Sequence, residues 1–306
     1  MCRLFGFRSN DASEVHRSLV LEKNSLRVQS VEHKDGWGIA YYNQKPDPEI
    51  AFGLGPAHQD PDFERVSSLV TSSAVIGHIR LASVGTVTMR NAHPFVFKQW
   101  TFAHNGTITD WALHQKEIEA LIDPDFLALI KGETDSERCF YLFLTHMRSM
   151  NALENATLPQ LAHAVALTAD QVTERTRTTD PEKPPTATNF LVSDGRLMVV
   201  TRRQRSLFFS ETLQGSPKAA KSLPATGPHI PPENGTPLSQ LVIASEELSQ
   251  ETHWHEVPEE SMLGVDTDLR LYRWTMKEMA LQRPTAQAAR SQAVSSEALR
   301  SPVTVA

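Results

Sequence analysis

Cysteine is scarce in this sequence. Its two copies, Cys2 and Cys139, cannot build a disulfide framework, which excludes a small stapled secreted module, and in a reducing compartment both stay thiols. Long apolar runs are also missing. No stretch reaches the ~18 residues of a membrane-spanning helix, and the opening MCRLFGFRSND has neither a basic leader nor the apolar core of a secretory signal. These absences set the expectation of a cytoplasmic protein. Positive charge has no surplus: a net charge of −6 with scattered arginines lacks the basic, aromatic-studded stripe of a nucleic-acid binder, and that class is set aside. His93 has no second histidine or carboxylate at zinc-ligand spacing, so no metal is predicted, and no cofactor is expected.

What is present is an ordinary globular composition, 40% apolar and 22% charged over 306 residues, enough for a large core. Residues 13–24 place Val15, Leu19 and Val20 on one face behind Ser13, the pattern of a short amphipathic helix. The period then changes. GWGIAYYN (36–43), SSAVIGHIRLAS (72–83) and QWTFAHNG (99–106) are short, β-branched or aromatic, and broken by glycine, as strands are. Helices are predicted over 109–122, 135–149 and 159–175; the second carries Cys139, Phe140, Phe143, Leu144 and Met147 along one side, and the third turns Leu161, Val165 and Val172 inward. Strands return over 188–203, with Asp194-Gly195 as a hairpin turn, and over 240–246 and 261–266. Residues 211–239 read as an exposed loop. Strands, then helices, then strands again fit two sheets with helices outside better than a doubly wound nucleotide-binding fold. One domain over 1–282 and a disordered tail over 283–306 are expected.

Several residues can carry chemistry, and each has a plainer role beside it. Cys2 follows Met1, and removal of Met1 would place a thiol and an α-amine on one residue. With a pKa near ~8 the amine is a usable base at neutral pH. A cysteine at position 2 is otherwise a small buried hydrophobe. In GHIRLASVG (77–85) Arg80 ends an apolar strand, where it can clamp a carboxylate or simply be solvated. His93, in NAHPF (91–95), is a general acid, a base or a pocket wall. Asn105-Gly106 offers two neutral donors of the oxyanion-hole kind, or merely a turn. In GETDSE (132–137), Thr134 or Asp135 can cap the helix that follows, and Asp135 can instead accept from a substrate ammonium. HKDGWG (33–38) is a tight turn or a pocket wall. Cys139 reads as core.

Together and in order, MCRLFGF, HKDGWGIAYY, GHIRLASVG, NAHPF, FAHNG and GETDSE resemble the class II glutamine amidotransferases, which are N-terminal-nucleophile hydrolases. The likeness is to the small stand-alone, YafJ-like subgroup and runs from Cys2 to about Asp266. It implies an α+β fold, a four-layer αββα sandwich of two antiparallel sheets. It implies Cys2 as nucleophile with its own amine as base, and Asn105 and Gly106 as the oxyanion hole. Arg80 would hold the substrate α-carboxylate and Asp135 the α-ammonium, with Ser83 and His93 shaping the pocket. The implied reaction is hydrolysis of the γ-amide of glutamine or a γ-glutamyl compound through a thioester. Leu81 departs from the pattern, standing where large synthase relatives often carry tryptophan. Since no second domain is read after the fold, the partners expected are the small-molecule substrate and a separate synthase subunit, or the substrate alone. An oligomer is compatible with either. Two further readings stay open: a silent γ-glutamyl-binding or partner-regulating protein, which retention of Met1 would favour by blocking the amine, and an N-terminal-cysteine acylase for other amides, which the Arg80–Asp135 pairing of charges disfavours.

Overall fold

The computed structural model describes residues 2–215, 233–250 and 252–282. The chain opens with β1 (Arg3–Glu14), a π-helical turn (Arg17–Leu21), α1 (Leu26–Gln29), β2 (Trp37–Tyr41), β3 (Glu49–Gly53), α2 (Pro61–Leu69) and β4 (Thr71–Ile79). Next come β5 (Phe95–Phe97), β6 (Trp100–Asn105), α3 (Trp111–Glu119), α4 (Pro124–Leu127), α5 (Asp135–Ser149) and α6 (Leu158–Arg175). The described chain closes with β7 (Asn189–Ser193), β8 (Met198–Arg202), β9 (Phe208–Leu213), β10 (Thr236–Ala244), β11 (His255–Glu256), β12 (Ser261–Val265), β13 (Arg270–Thr275) and α7 (Met276–Leu281).

Hydrogen bonding runs unbroken through the strands in the order β3-β2-β4-β1-β10-β13-β12-β8-β7-β6-β5, with β9 and β11 joined alongside β10. The pairings are antiparallel. The hinge is β10. Its first residues, Thr236 and Pro237, pair with β13, whereas Gln240–Ala244 pair with β1. The strands therefore form one curled sheet where two were expected, because β10 belongs to both strand sets. Apolar side chains fill the curl, with Leu4 and Ile76 from one set meeting Ala103, Leu191 and Val200 from the other. A second cluster seats α5 and α6 on the outer face of β6, β7 and β8 through Phe102, Phe140, Phe143, Val165 and Phe190. A third packs Phe5, Trp37, Ile39 and Val75 against Leu19, Leu26 and Phe63 on the opposite outer face.

The helix expected over 13–24 is shorter than its pattern. Ser13 and Glu14 stay in β1, opposite Ser72 and Thr71, so the would-be cap is consumed by the ladder. Only one π turn follows, closed by Glu22 N–H donating to Arg17 O at 2.9 Å; Val15, Leu19 and Val20 are nevertheless buried. The loop expected over 211–239 is strand at both ends, in β9 and β10. The Pro- and Ser-rich composition between them hid two strands that pair with each other. Residues 216–232 and the expected tail over 283–306 lie outside the described residues. Helix α5 spans the residues expected of it. Thr134 Oγ1 accepts from Glu137 N–H at 3.2 Å, and acidic Asp135 and Glu137 open the first turn while Arg148 closes the last, as the helix dipole favours.

Candidate active site

Four segments far apart in sequence converge at one end of the curled sheet. Cys2 immediately precedes β1, and the β1–β4 register, Arg3 opposite Ile79, sets Cys2 across from Arg80. Facing them are the end of β6, with Asn105 and Gly106, and the first turn of α5. Cys2, Arg80, Leu81, Ser83, His93, His104, Gly106 and Asp135 line a cleft enclosing about 260 Å³. Of the residues predicted for the site, Asn105 alone does not line the cleft; it is buried and immediately precedes Gly106, which does.

The Cys2 thiol donates to Leu81 O at 3.6 Å. Burial pushes its pKa up, opposed by that hydrogen bond and by the positive charge of Arg80, so the resting sulfur is a neutral thiol that needs a base. The Arg80 guanidinium does not hang free. It donates to Thr86 O (2.9 Å), Val84 O (3.0 Å) and Gly85 O (3.4 Å), fixing the turn that bounds the cleft. The neighbouring backbone is held too, since Asp35 Oδ2 accepts from Ala82 N–H at 2.8 Å. The HKDGWG segment is thus tied to the cleft loop through its aspartate.

Asp135 is buried. Its Oδ2 accepts from Ile108 N–H at 2.9 Å and its Oδ1 from Ser136 N–H at 2.8 Å. A carboxylate has about four acceptor sites, so capacity remains for a substrate cation. The helix-capping role falls to Thr134, leaving Asp135 to the loop and the cleft. Ser83 Oγ meets Thr107 Oγ1 at 3.1 Å across the mouth. Gly106 is required by space. A Cβ there would lie 2.0 Å from Ala187 O and 2.3 Å from His104 Nε2, so no larger residue fits beside Asn105. Asn105 Nδ2 donates to Ser245 Oγ at 3.1 Å, while its buried Oδ1 has no hydrogen-bond partner.

The chain as a whole matches a family model for class II glutamine amidotransferases over residues 1–290. The chain belongs to that family. It is similar to a probable glutamine amidotransferase, DUG3, of Saccharomyces cerevisiae, 25% identical over 66% of this chain and 63% of that protein. It is also similar to the putative glutamine amidotransferase YafJ of Escherichia coli, 28% identical over 65% of this chain and 72% of that one. The match to the yeast protein thus covers less than two thirds of its length. Among solved structures, a glutamine aminotransferase class-II domain protein from Silicibacter pomeroyi superposes with a TM-score of 0.61 at 19% identity, covering 90% of this chain and 98% of that one. At that identity the likeness speaks for the fold alone.

His93 and His104, which line the cleft, form with His78 a histidine cluster that sequence reading did not assemble. His93 stacks on His78 with ring centroids 4.3 Å apart, and neither ring nitrogen of His93 has a hydrogen-bond partner. His104 is pinned by Ser136 Oγ and Ala187 O, both at 2.9 Å. Burial lowers the pKa of all three, His78 to about 3 and His93 well below its usual value; for His104 nearby Asp135 opposes the shift. They are neutral imidazoles at neutral pH and present no competing base. His104 was visible in FAHNG, one residue before the asparagine, but nothing in the sequence announced that His78 would stack beneath His93. Among the described residues no group of three or more histidine, cysteine or carboxylate side chains is arranged to hold a metal, and no helix is long and apolar enough to cross a membrane.

Proposed function

We propose that this chain hydrolyses the γ-amide of glutamine or of a substituted γ-glutamyl compound, with Cys2 as nucleophile after removal of Met1. The observation that carries the reading is the convergence of Cys2, Arg80, Gly106 and Asp135 on one cleft, together with membership of the family. In this reading the curled sheet between its two helical faces is the αββα arrangement of N-terminal-nucleophile hydrolases.

The steps follow from the chemistry of these groups. The freed α-amine takes the thiol proton, which burial otherwise holds on sulfur. The thiolate attacks the γ-carbonyl carbon, and the oxyanion receives hydrogen bonds from the second Asn105 amide hydrogen and the Gly106 N–H. The C–N bond breaks as the proton passes from the ammonium to the leaving nitrogen, leaving a γ-glutamyl thioester. Water, deprotonated by the same amine, cleaves the thioester to glutamate and restores the thiol. Arg80 and Asp135 bind the α-carboxylate and α-ammonium of the glutamyl head group. Because the Arg80 fork also holds residues 84–86, substrate binding and loop placement are linked through one side chain.

The test is glutamate release from glutamine and from a panel of γ-glutamyl amides and peptides, with Cys2→Ala as control and intact mass to show whether Met1 is gone. Preference for free glutamine identifies an ammonia donor that works with a separate synthase subunit. Preference for a substituted amide identifies a self-sufficient hydrolase. Full activity in Cys2→Ala sinks the mechanism, and silence of the processed protein on every compound favours a γ-glutamyl-binding role.

A further inference from the structure

Cys2 stands outside the β-ladder, yet its carbonyl is held. Arg3 Nη1 donates to Cys2 O at 3.2 Å, and the other arm of the same guanidinium is paired with Glu246. That pairing is built into the sheet. The β1–β10 register, Phe5 opposite Ala244, sets Arg3 directly across from Glu246, where opposite charges on one face attract. Glu246 is itself anchored by Asn24, whose Nδ2 lies 3.3 Å from Glu246 Oε2 and donates to Glu247 O at 2.8 Å. One residue inward, Leu4 N–H donates to Ser245 Oγ at 2.9 Å, and the same hydroxyl oxygen receives Asn105 Nδ2. The end of β10 therefore touches both the carbonyl of the nucleophile residue, through Arg3, and the oxyanion-hole side chain, through Ser245.

We propose that Arg3, braced by Glu246, is a positioning residue for Cys2: by fixing the Cys2 carbonyl it sets the direction of the thiol and of the α-amine. This rests on the assignment of Cys2 as nucleophile. A carbonyl free to rotate would swing both groups out of line with Asn105 and Gly106, and misplacement of about 1 Å costs on the order of a hundredfold in rate. The guanidinium has a second effect. Held 3.2 Å from the Cys2 carbonyl, this cation adds a field that favours thiolate over thiol and free amine over ammonium. The other charged or titratable groups near Cys2 are Arg80 beyond β4, Asp135 on α5, the neutral His93 and His104, His33 ahead of β2, and Glu246 beyond β10.

The experiment uses the full chain, with Met1 removal verified by mass. It compares wild type with Arg3→Gln, Arg3→Lys and Glu246→Gln, following iodoacetamide alkylation of Cys2 against pH and glutamate release from the preferred γ-glutamyl amide. Cys139, sealed in the core, reports loosening of the fold in the same digest. Expected for Arg3→Gln are a kcat lower by roughly tenfold to a hundredfold with KM changed by less than about threefold, and a Cys2 midpoint raised by about 0.5–1 pH unit, with Cys139 still protected. Arg3→Lys keeps the charge and restores the midpoint while kcat recovers only in part. Glu246→Gln strengthens the net positive field and moves the midpoint down. A wild-type midpoint and kcat in Arg3→Gln overturn the proposal, as does a loss of activity that appears only together with Cys139 alkylation. If Arg3→Gln fails to fold, Glu246→Gln and Arg3→Lys decide, the first expected below the wild-type midpoint and the second at it: no difference between them overturns the proposal. If wild type releases no glutamate while the midpoints shift as described, the positioning role stands and the hydrolase reading falls.

Discussion

The two ends of the strands differ in how well their polar groups are satisfied. At the end away from Cys2, the loops after β2, β7 and α5 and before β6 surround a hollow of about 1490 Å³, far roomier than the cleft of about 260 Å³. Most of the polar groups around it are partnered, Nε of Arg8, whose guanidinium donates to Ser73 O and Arg196 O at 2.9 Å, being an exception. Tyr42 OH donates to Gln99 O at 2.7 Å and also reaches Ser193 O and Thr101 Oγ1, each at 2.9 Å. Asp194 accepts from the backbone of Arg196 and Leu197 and pairs with the Arg196 guanidinium at 2.8 Å, while Lys98 meets Glu154 at 3.7 Å. At the Cys2 end, both nitrogens of His93, Nδ1 of His78 and Oδ1 of Asn105 are buried with no hydrogen-bond partner. Buried unsatisfied groups cost about 1–3 kcal/mol each, and a fold keeps them where something other than stability is served. Size alone would point to the other end.

The largest effects that test this contrast fall at the unsatisfied end. Cys2→Ala removes the attacking atom, and glutamate release is expected to fall by at least about 10⁴-fold, with thermal stability near wild type because a small buried side chain is exchanged for a smaller one. Asn105→Ala is expected to lower kcat by about 10²–10³-fold with a smaller effect on KM. Equal loss of kcat and binding would instead make Asn105 a plain structural residue of the Ser245 network.

The histidines give a test on stability. His78, His93 and His104 have folded-state pKa values below the unfolded value of about 6.5, His78 at about 3. Unfolding at acid pH therefore takes up protons that the native state refuses. Their contribution is fully present above about pH 6.5 and is lost as pH falls from there toward the folded values, at up to about 1.4 kcal/mol per pH unit for each histidine. Urea denaturation between pH 7 and 4 is expected to show this slope, and His78→Gln to make it shallower. An unchanged slope in the variant would mean that His78 is already charged in the fold.

Much of this was legible beforehand, for physical reasons. Helix α5 was readable to the residue because Thr134 caps it and its apolar side chains recur at helical spacing; the Asp194-Gly195 hairpin was readable because Gly195, at φ +85°, carries a turn that most residues resist. Strands β3, β5, β9, β11 and β13 went unread because their burial is partial or their length slight, so neither alternation nor an apolar run marks them; β1 also went unread, since its burial continues through Arg8 and Ser9, where the apolar residues of the sequence stop. At the site, six motifs in order led to the family, yet three contacts were invisible in one dimension. These are the grip of Arg80 on its own loop, the stack of His93 on His78, and the bridge from Ser245 to Asn105. The last two depend on how distant segments face one another, which no local pattern encodes; the first is local, but needs a turn that folds residues 84–86 back onto the guanidinium.

The smallest functional effect is expected from the satisfied end. Tyr42→Phe deletes one hydroxyl that lies within reach of three partners, and removes the hydrogen it donates to Gln99 O. The cost is about 1–3 kcal/mol, read as a lower urea midpoint with an unchanged m-value. No catalytic loss should accompany it, because β2, β6 and β7 separate Tyr42 from the cleft along their whole length and the Cys2 end has its own supports in Asp35, Ser136 and Ser245. A kcat that falls while the urea midpoint holds would break the contrast between the two ends, since the large hollow would then communicate with the chemistry through the strands. A lost midpoint with intact kcat sharpens it: the same sheet would then carry stability at one end and the under-partnered groups of the proposed reaction at the other.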